Sequence, residues 1–596
     1  MRKNVLSRAF TMVCTVSFSF GAAAATTEWK PDEGGSLDEP ANWTEGLPRS
    51  GYDGVIGKSP SSSLTLNANT TYADAGMTIA AGQTAEFDLG EGRELTVGKA
   101  FTVGKGTTGT LKSGSIRLTD NRFFIGDNCS NSRFVVDGPT AELHGVSKTG
   151  VGNYYIQIGS LGNWNDYSQD NALEVRNGGL VEGGLIMGRA IPGATRALAG
   201  TNLFHVAGLG SRYLSPTYPL YVGQMQGRAF CVIENQATAS VANAYLGTST
   251  TFNNYTHAGS YNWLCVSNAA SFQAANLLVV GNGNGSASNA VDVVDHSTLL
   301  ALELRIGDTA ASTGNVFRID GAGSFAETQK IFLGNGGPRS RLEVLNGGEL
   351  SVTNAFSMGW QATAVGSTLY VGEGSTLTLK NIDGAVIGQA ASNACMSVEG
   401  AGTVVEATAV NRLVIGKSQT AENSRLDVRD GAELKAKRIV LGDAAPNCTL
   451  LVSNATVRIG KYLDIGYTTA KNPDNAQLVV QGSNTVVIAQ DLVRMKYGTS
   501  KLVFEIPATG FVSTPLLFKK FGDMVDGASV VVRADRQWPV GSEQVLLKLS
   551  GRDTISDDDA RKLRLVSETP NVVLRISDDR KQILAKRRGG LVISIR

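Results

Sequence analysis

Leu342-Glu-Val344-Leu-Asn346-Gly-Gly-Glu-Leu350-Ser-Val352-Thr-Asn354-Ala-Phe356-Ser-Met358-Gly359 decides the fold. Three apolar pairs alternate with polar residues, and a turn-forming residue follows each of the first two. Alternation with period two is the signature of strands. The stretch therefore reads as one coil of a three-strand solenoid, with Leu342 and Val344, Leu350 and Val352, and Phe356 and Met358 pointing inward.

The same pattern recurs along the chain. The position after the first apolar triplet is Gly138, Asn177, Gly208, Asn235, Asn268, Asp295, Gly321, Asn346, Glu373, Gly400, Asp430, Asn454 and Gly482. Twelve of these thirteen are Gly, Asn or Asp, which most easily take a left-handed backbone. A second column is an apolar residue followed by Gly, at Gly126, Gly159, Gly188, Gly223, Gly247, Gly281, Gly307, Gly334, Gly359, Gly388, Gly416, Gly442 and Gly466, at intervals of 24 to 35 residues. A repeat of this length predicts stacked coils. The expected fold is all-β: a right-handed parallel β-helix of about 13–15 coils with a small β-rich C-terminal cap. Handedness follows from the general bias of parallel crossovers. Fifteen coils about 4.8 Å apart give a rod of roughly 70 Å.

Composition agrees. The 596 residues include 70 Gly without a Gly-X-Y period, and 42% are hydrophobic. Only 18% are charged and the net charge is +1, so no nucleic-acid partner is implied. Arg2, Lys3 and Arg8, the apolar run after them and Ala22 to Ala25 have the form of a secretory leader, and no later stretch is long and apolar enough for a membrane helix. The expected divisions are a signal peptide over 1–25, an N-terminal cap over 26–50 with Trp29 and Trp43, the repeat over 51–498 and a β-rich domain over 499–596. Within the last, Ser556 caps a short helix opened by Asp557 to Asp559. Five cysteines remain beyond the leader. Cys231 and Cys265 fall at the same triplet of successive coils, as stacked core thiols or as a disulfide.

The segments Trp29, Gly34-Gly-Ser-Leu-Asp-Glu-Pro-Ala-Asn-Trp43-Thr-Glu-Gly-Leu-Pro48 and Asp53-Gly-Val-Ile56, with the Asn-Gly-Gly turns at Asn177 and Asn346, resemble secreted bacterial solenoids. Those proteins carry autotransporter-associated β-strand repeats within the broad pectin-lyase-like architecture. The resemblance implies a secreted or outer-surface location, in a bacterium, for a structural or adhesin-like protein. It departs at the C-terminus, where a membrane barrel needs at least about eight strands of some ten residues. Residues 499–596 have short, unevenly spaced strands and no aromatic girdles.

Chemistry-bearing motifs are few. Asp295-His296 resembles a pectate-lyase element, but Asp295 occupies the turn column. His144-Gly145 has no paired Asp around it. Acidic residues such as Glu174, Glu343 and Asp427 sit mid-triplet, beside Arg176 or Arg429 on the same face, as ion pairs. The four histidines share no spacing. The sequence therefore predicts no catalytic residues, metal or cofactor. The expected ligand-contacting residues are aromatics of the early loops (159–171, 188–202, 208–219 and 247–262): Trp164, Tyr167, Tyr213, Tyr218, Tyr255, Tyr261 and Trp263. These rings either stack on sugar or anchor partners, or fold back over the solenoid flank. The expected function is a non-catalytic structural or adhesive element whose partners are envelope or extracellular polysaccharide, or surface proteins. The alternatives are a polysaccharide lyase or glycoside hydrolase, and a polysaccharide-binding protein.

Overall fold

The computed structural model describes residues 25–60, 62–119, 122–145, 155–161, 168–190, 200–225, 227–252, 255–380, 384–467 and 473–589. The expected leader lies outside them, apart from Ala25. The chain winds into a parallel β-solenoid of about 18 turns, more than the 13–15 expected. At about 4.8 Å per turn it is roughly 85 Å long.

Strands carrying the triplets stack into one sheet. Within it Leu342, Leu369, Met396, Leu426, Leu450, Leu478, Leu502, Val530 and Leu565 stand in a single parallel column. The second and third strands of each coil form the other sheet. In some coils they run as one bent strand, as in Glu349–Met358. In others they separate, as in Thr376–Leu379 and Ala385–Ile387. All six predicted inward residues from Leu342 to Met358 are buried.

Both columns read from the sequence have a backbone cause. All thirteen turn residues have positive φ, including the one chemically odd member, Glu373, at 57°. All thirteen marker glycines have φ between 63° and 82°. Asp295 (φ 53°) is a turn residue like the others.

The sequence reading missed a third column. Two residues before each triplet stands a small polar or small side chain pointing into the core: Asn171, Asn202, Asn262, Asn289, Asn315, Ser340, Ser367, Ser424 and Ser500 are all buried. The asparagines form ladders. Asn171 Nδ2 donates to Asn202 Oδ1 at 3.1 Å, Asn262 to Asn289 at 2.8 Å, and Asn289 to Asn315 at 3.0 Å. Each Oδ1 also accepts a backbone N–H from the coil before it, as Asn289 Oδ1 does from Asn262. The polar column is therefore satisfied within an otherwise apolar core.

This column explains the markers. A Cβ on Gly334 would lie 2.1 Å from Ser367 Oγ of the next coil, on Gly281 2.3 Å from Asn315 Nδ2, and on Gly416 2.1 Å from Cys448 Sγ. The turn column is fastened in a similar way. Gly347 N donates to Ser375 Oγ and Gly374 N to Thr403 Oγ1, each from the following coil.

The ends differ from expectation. Ala25–Glu28 already pairs in parallel with Tyr52–Ile56. Trp29 and Trp43 are buried and meet edge to face at 5.3 Å. At the other end the coils do not stop at 498. Lys501–Ile506, Ser529–Ala534 and Arg564–Ser567 continue the triplet sheet in parallel. The repeat fades there because Lys496 and Val525 replace the marker glycine, while the inward alternation persists. Gln582–Arg587 then runs antiparallel against both Glu543–Leu549 and Val572–Ile576, covering an edge that would otherwise invite pairing. The helix Asp557–Lys562 has the expected Ser556 cap, as a full capping box with Asp559.

Cys231 and Cys265 are unbonded thiols. Cys265 pairs with Val232, not with Cys231. That one-residue offset puts Cys231 inside and Cys265 on the outer face, so they are neither stacked core thiols nor a disulfide.

Two variants test the columns. Asn289→Ala strands the Asn262 amide and should lower unfolding stability by roughly 1–3 kcal/mol, read from the denaturant midpoint. Gly366 has φ 71° but open space around its Cβ position. Gly366→Ala should therefore cost about 1 kcal/mol, and Gly334→Ala roughly 2–4 kcal/mol. Equal losses would remove the steric role assigned to Ser367.

Candidate binding surface

The predicted aromatics do not form one surface. Trp164 and Tyr167 lie outside the described residues. Tyr213 is in the second strand of its coil, fully buried, with its ring 4.9 Å edge-on to Phe204 and its hydroxyl on the Gly183 carbonyl at 3.0 Å. Burial pushes its hydroxyl pKa well up. It belongs to the core, because 208–219 contains the strand Arg212–Ser215 rather than one long loop. Tyr218 is half-buried, edge-on to Tyr155 at 6.0 Å. Trp263 is half-buried and donates its indole N–H to Asp292 Oδ2 at 2.7 Å. Tyr255 begins the outer strand of a hairpin, Tyr255–Ala258, that pairs antiparallel with the end of Thr238–Phe252. Tyr261 is 64% exposed.

Many outward carboxylates are committed to neighbouring coils. Asp137 accepts from Lys112 Nζ at 2.7 Å, Arg176 Nη2 at 3.0 Å and Asn177 Nδ2 at 2.6 Å. Arg318 binds Asp292 with two bonds of 3.0 Å. Asp464, fully buried, sits between Arg438 and Arg494. The expected Asp427–Arg429 pair is present at 2.9 Å. Arg176 instead reaches the preceding coil, and Glu174 is held by Arg133.

A row of acids lies on the outer face of the second strands. His144 Nδ1 is 2.8 Å from Glu182 Oε2 and Nε2 is 3.0 Å from Glu142 Oε2. Arg117 Nε donates to Glu94 Oε2 at 2.8 Å. The His144 ring is buried, and both its nitrogens are engaged by carboxylates. Among the described residues, no group of three or more His, Cys, Asp and Glu is arranged to hold a metal ion.

The sequence reading overlooked a cleft in the later coils. It has a volume of about 440 Å³ and crosses four coils. Its floor is the outward column Phe332, Ser357, Val386 and Val414, in register from coil to coil. One wall starts at Lys330, passes Ala355 and Gly384, and ends at Arg412. The notch exists because two successive coils carry Ala355 and Gly384 where their neighbours carry long cations. The opposite wall is the residue after each marker glycine: Trp360, Gln389 and Lys417. Trp360 is 44% exposed and stands edge-on to Phe332 at 5.0 Å. The Ser357 hydroxyl in the floor has no hydrogen-bond partner among the described residues. Trp360, the large ring of its short corner, is the signal in the sequence that could have found the cleft.

No protein-family profile matches the sequence, and no curated protein does. A solved structure, the TibC-catalysed hyper-glycosylated fragment 55–350 of TibA, is similar over 71% of this chain and 99% of that one. Its identity is 12% and its TM-score 0.25.

Burial alone would raise the Asp137 pKa, but Lys112, Arg176 and Asn177 outweigh it and hold it at about 2. The unfolded value is about 3.9. The stabilisation is thus present above pH ~4 and lost as pH falls through about 2. Asp137→Asn should lower the unfolding midpoint at neutral pH, with the deficit vanishing near pH ~2. A deficit independent of pH would exclude the ion-pair origin.

Proposed function

We propose that this chain is a secreted or outer-surface bacterial β-solenoid that acts as a rigid structural and adhesive element without catalysis. The carrying observation is the unbroken stack of about 18 turns with its hydrogen-bonded interior column. Such a column resists bending and slippage between coils, as a surface rod requires. The outward carboxylates support the reading, because Asp137, Asp292 and Asp464 are each held by cations of adjacent coils and bind coil to coil. The opening Trp29–Pro48 segment and the Asn-Gly-Gly turns support kinship with autotransporter-associated repeats. Envelope or extracellular polysaccharide is the proposed partner class.

One observation favours a second reading, a carbohydrate-active enzyme. The Glu142–His144–Glu182 row brings two carboxylates from adjacent coils onto one imidazole. Acid–base hydrolysis of a glycosidic bond needs paired carboxylates on one face.

Incubation with a polysaccharide panel separates the two. The rod should release neither unsaturated products nor new reducing ends, yet be retained on immobilised glycan. Turnover abolished by Glu142→Gln would overturn the non-catalytic reading in favour of the second.

A further inference from the structure

The cleft has an unusual charge pattern for this molecule. Elsewhere many outward arginines and lysines meet carboxylates of adjacent coils, as Lys112 and Arg176 meet Asp137. Among the described residues, the cleft is lined by three cations, Lys330, Arg412 and Lys417, and by no carboxylate. None of the three makes an ion pair with a described residue. The cations stand at the two ends. Between them the floor is apolar, and Trp360 presents a ring to solvent.

The positions are set by the fold. Lys330 and Arg412 belong to coils three apart, so they are separated by roughly 14 Å along the axis. Strand alternation fixes Lys330, Phe332 and Val414 outward while Phe356 and Ala385 point in. The Trp360 ring stands edge-on against Phe332, and its backbone N–H, donated to the Gly334 carbonyl at 3.0 Å, fixes the corner. The site is thus preorganised on rigid strands and a short corner, which reduces the ordering cost of binding.

We propose that this cleft binds a linear glycan with carboxylates on alternating sugars, laid along the solenoid axis. An uncharged sugar stacks on Trp360 over the apolar floor, and the flanking carboxylates meet Lys330 at one end and Arg412 and Lys417 at the other. An apolar sugar face suits an aromatic ring. Arginine and lysine suit carboxylates. A neutral glycan would leave the three cations unmatched. The assignment deepens the adhesive reading above and rests on it for the ligand's class.

The test is calorimetric titration of the full chain with a hyaluronan hexasaccharide, in which uronate and neutral sugars alternate, and with maltohexaose as the neutral counterpart. Hyaluronan should bind and maltohexaose should not. Trp360→Ala should weaken binding about tenfold. Arg412→Gln and Lys417→Gln should each weaken it and flatten its salt dependence. All three side chains lie outside the core, so unchanged unfolding midpoints should accompany the losses. No hyaluronan binding, equal binding of the neutral hexamer, or full affinity in Trp360→Ala overturns the assignment. Failure of the unsubstituted chain to bind or cleave hyaluronan overturns the cleft assignment alone. Cleavage of the glycan, with affinity still lost in Trp360→Ala, upholds the cleft and overturns the non-catalytic reading.

Discussion

The contact between the marker glycine of one coil and the small buried side chain of the next governs this solenoid. At Gly334 the two lie so close that a single added methyl would overlap Ser367 Oγ. The glycine must also turn left-handed at that point. The two demands coincide, so one residue type serves both. The partner must be small, and it must satisfy the polar groups around it. Asparagine does so by bonding along the axis to the next asparagine. Serine does so by donating to a carbonyl of its own corner or of the preceding coil, as Ser340 does to Gly337 and Ser500 to Ile465. Once the corner is fixed in this way, coil spacing and register follow for both sheets. The chain leaving the corner can then vary in length, from a short turn at Gly334 to a hairpin after Gly247, without disturbing the stack.

The outer surface obeys a different constraint. Side chains of adjacent coils lie about 4.8 Å apart in parallel columns, so like charges repel and opposite charges pair. Asp137, Asp292 and Asp464 show the usual solution, a carboxylate held by basic residues of neighbouring coils. The His144 row is a variant, with an imidazole between two glutamates. Where two successive coils drop their long side chains, at Ala355 and Gly384, the column opens and the flanking cations have no ion-pair partner among the described residues.

The sequence disclosed what local backbone chemistry controls. Both thirteen-member columns mark positions of positive φ, and residue type reports φ directly. Period-two alternation located the six inward residues of the Leu342 coil correctly. What depended on the neighbouring coil was hidden. The asparagine column was present two residues before the triplets, yet its members sit in apparent loops, where Asn ordinarily signals a turn. Tyr213 was read as a surface ring because tyrosine tolerates either setting. Only its parity with Ser215, opposite Phe204, places it inside. Cys231 and Cys265 looked stacked, and a one-residue register offset separates them. The end of the repeat at 498 was a loss of glycine, not of coils: Lys496 and Val525 take the marker position, bonding to the preceding coil as the glycines do.

Inward and outward positions alternate along every strand, so a solenoid can change its surface without changing its core. Phe356 and Ala385 stack inside while their neighbours Ala355 and Gly384 form the notch outside. A binding site in such a fold therefore need not lie in a long or aromatic-rich loop. It lies where an outward column breaks its own pattern. The Trp360 corner is short and its coil is among the most regular, which is why composition drew attention to residues 159–263 instead. Regularity is also what makes the break informative. Three cations without an ion pair among the described residues, beside one upright indole, are the departure that the stacking of coils does not explain.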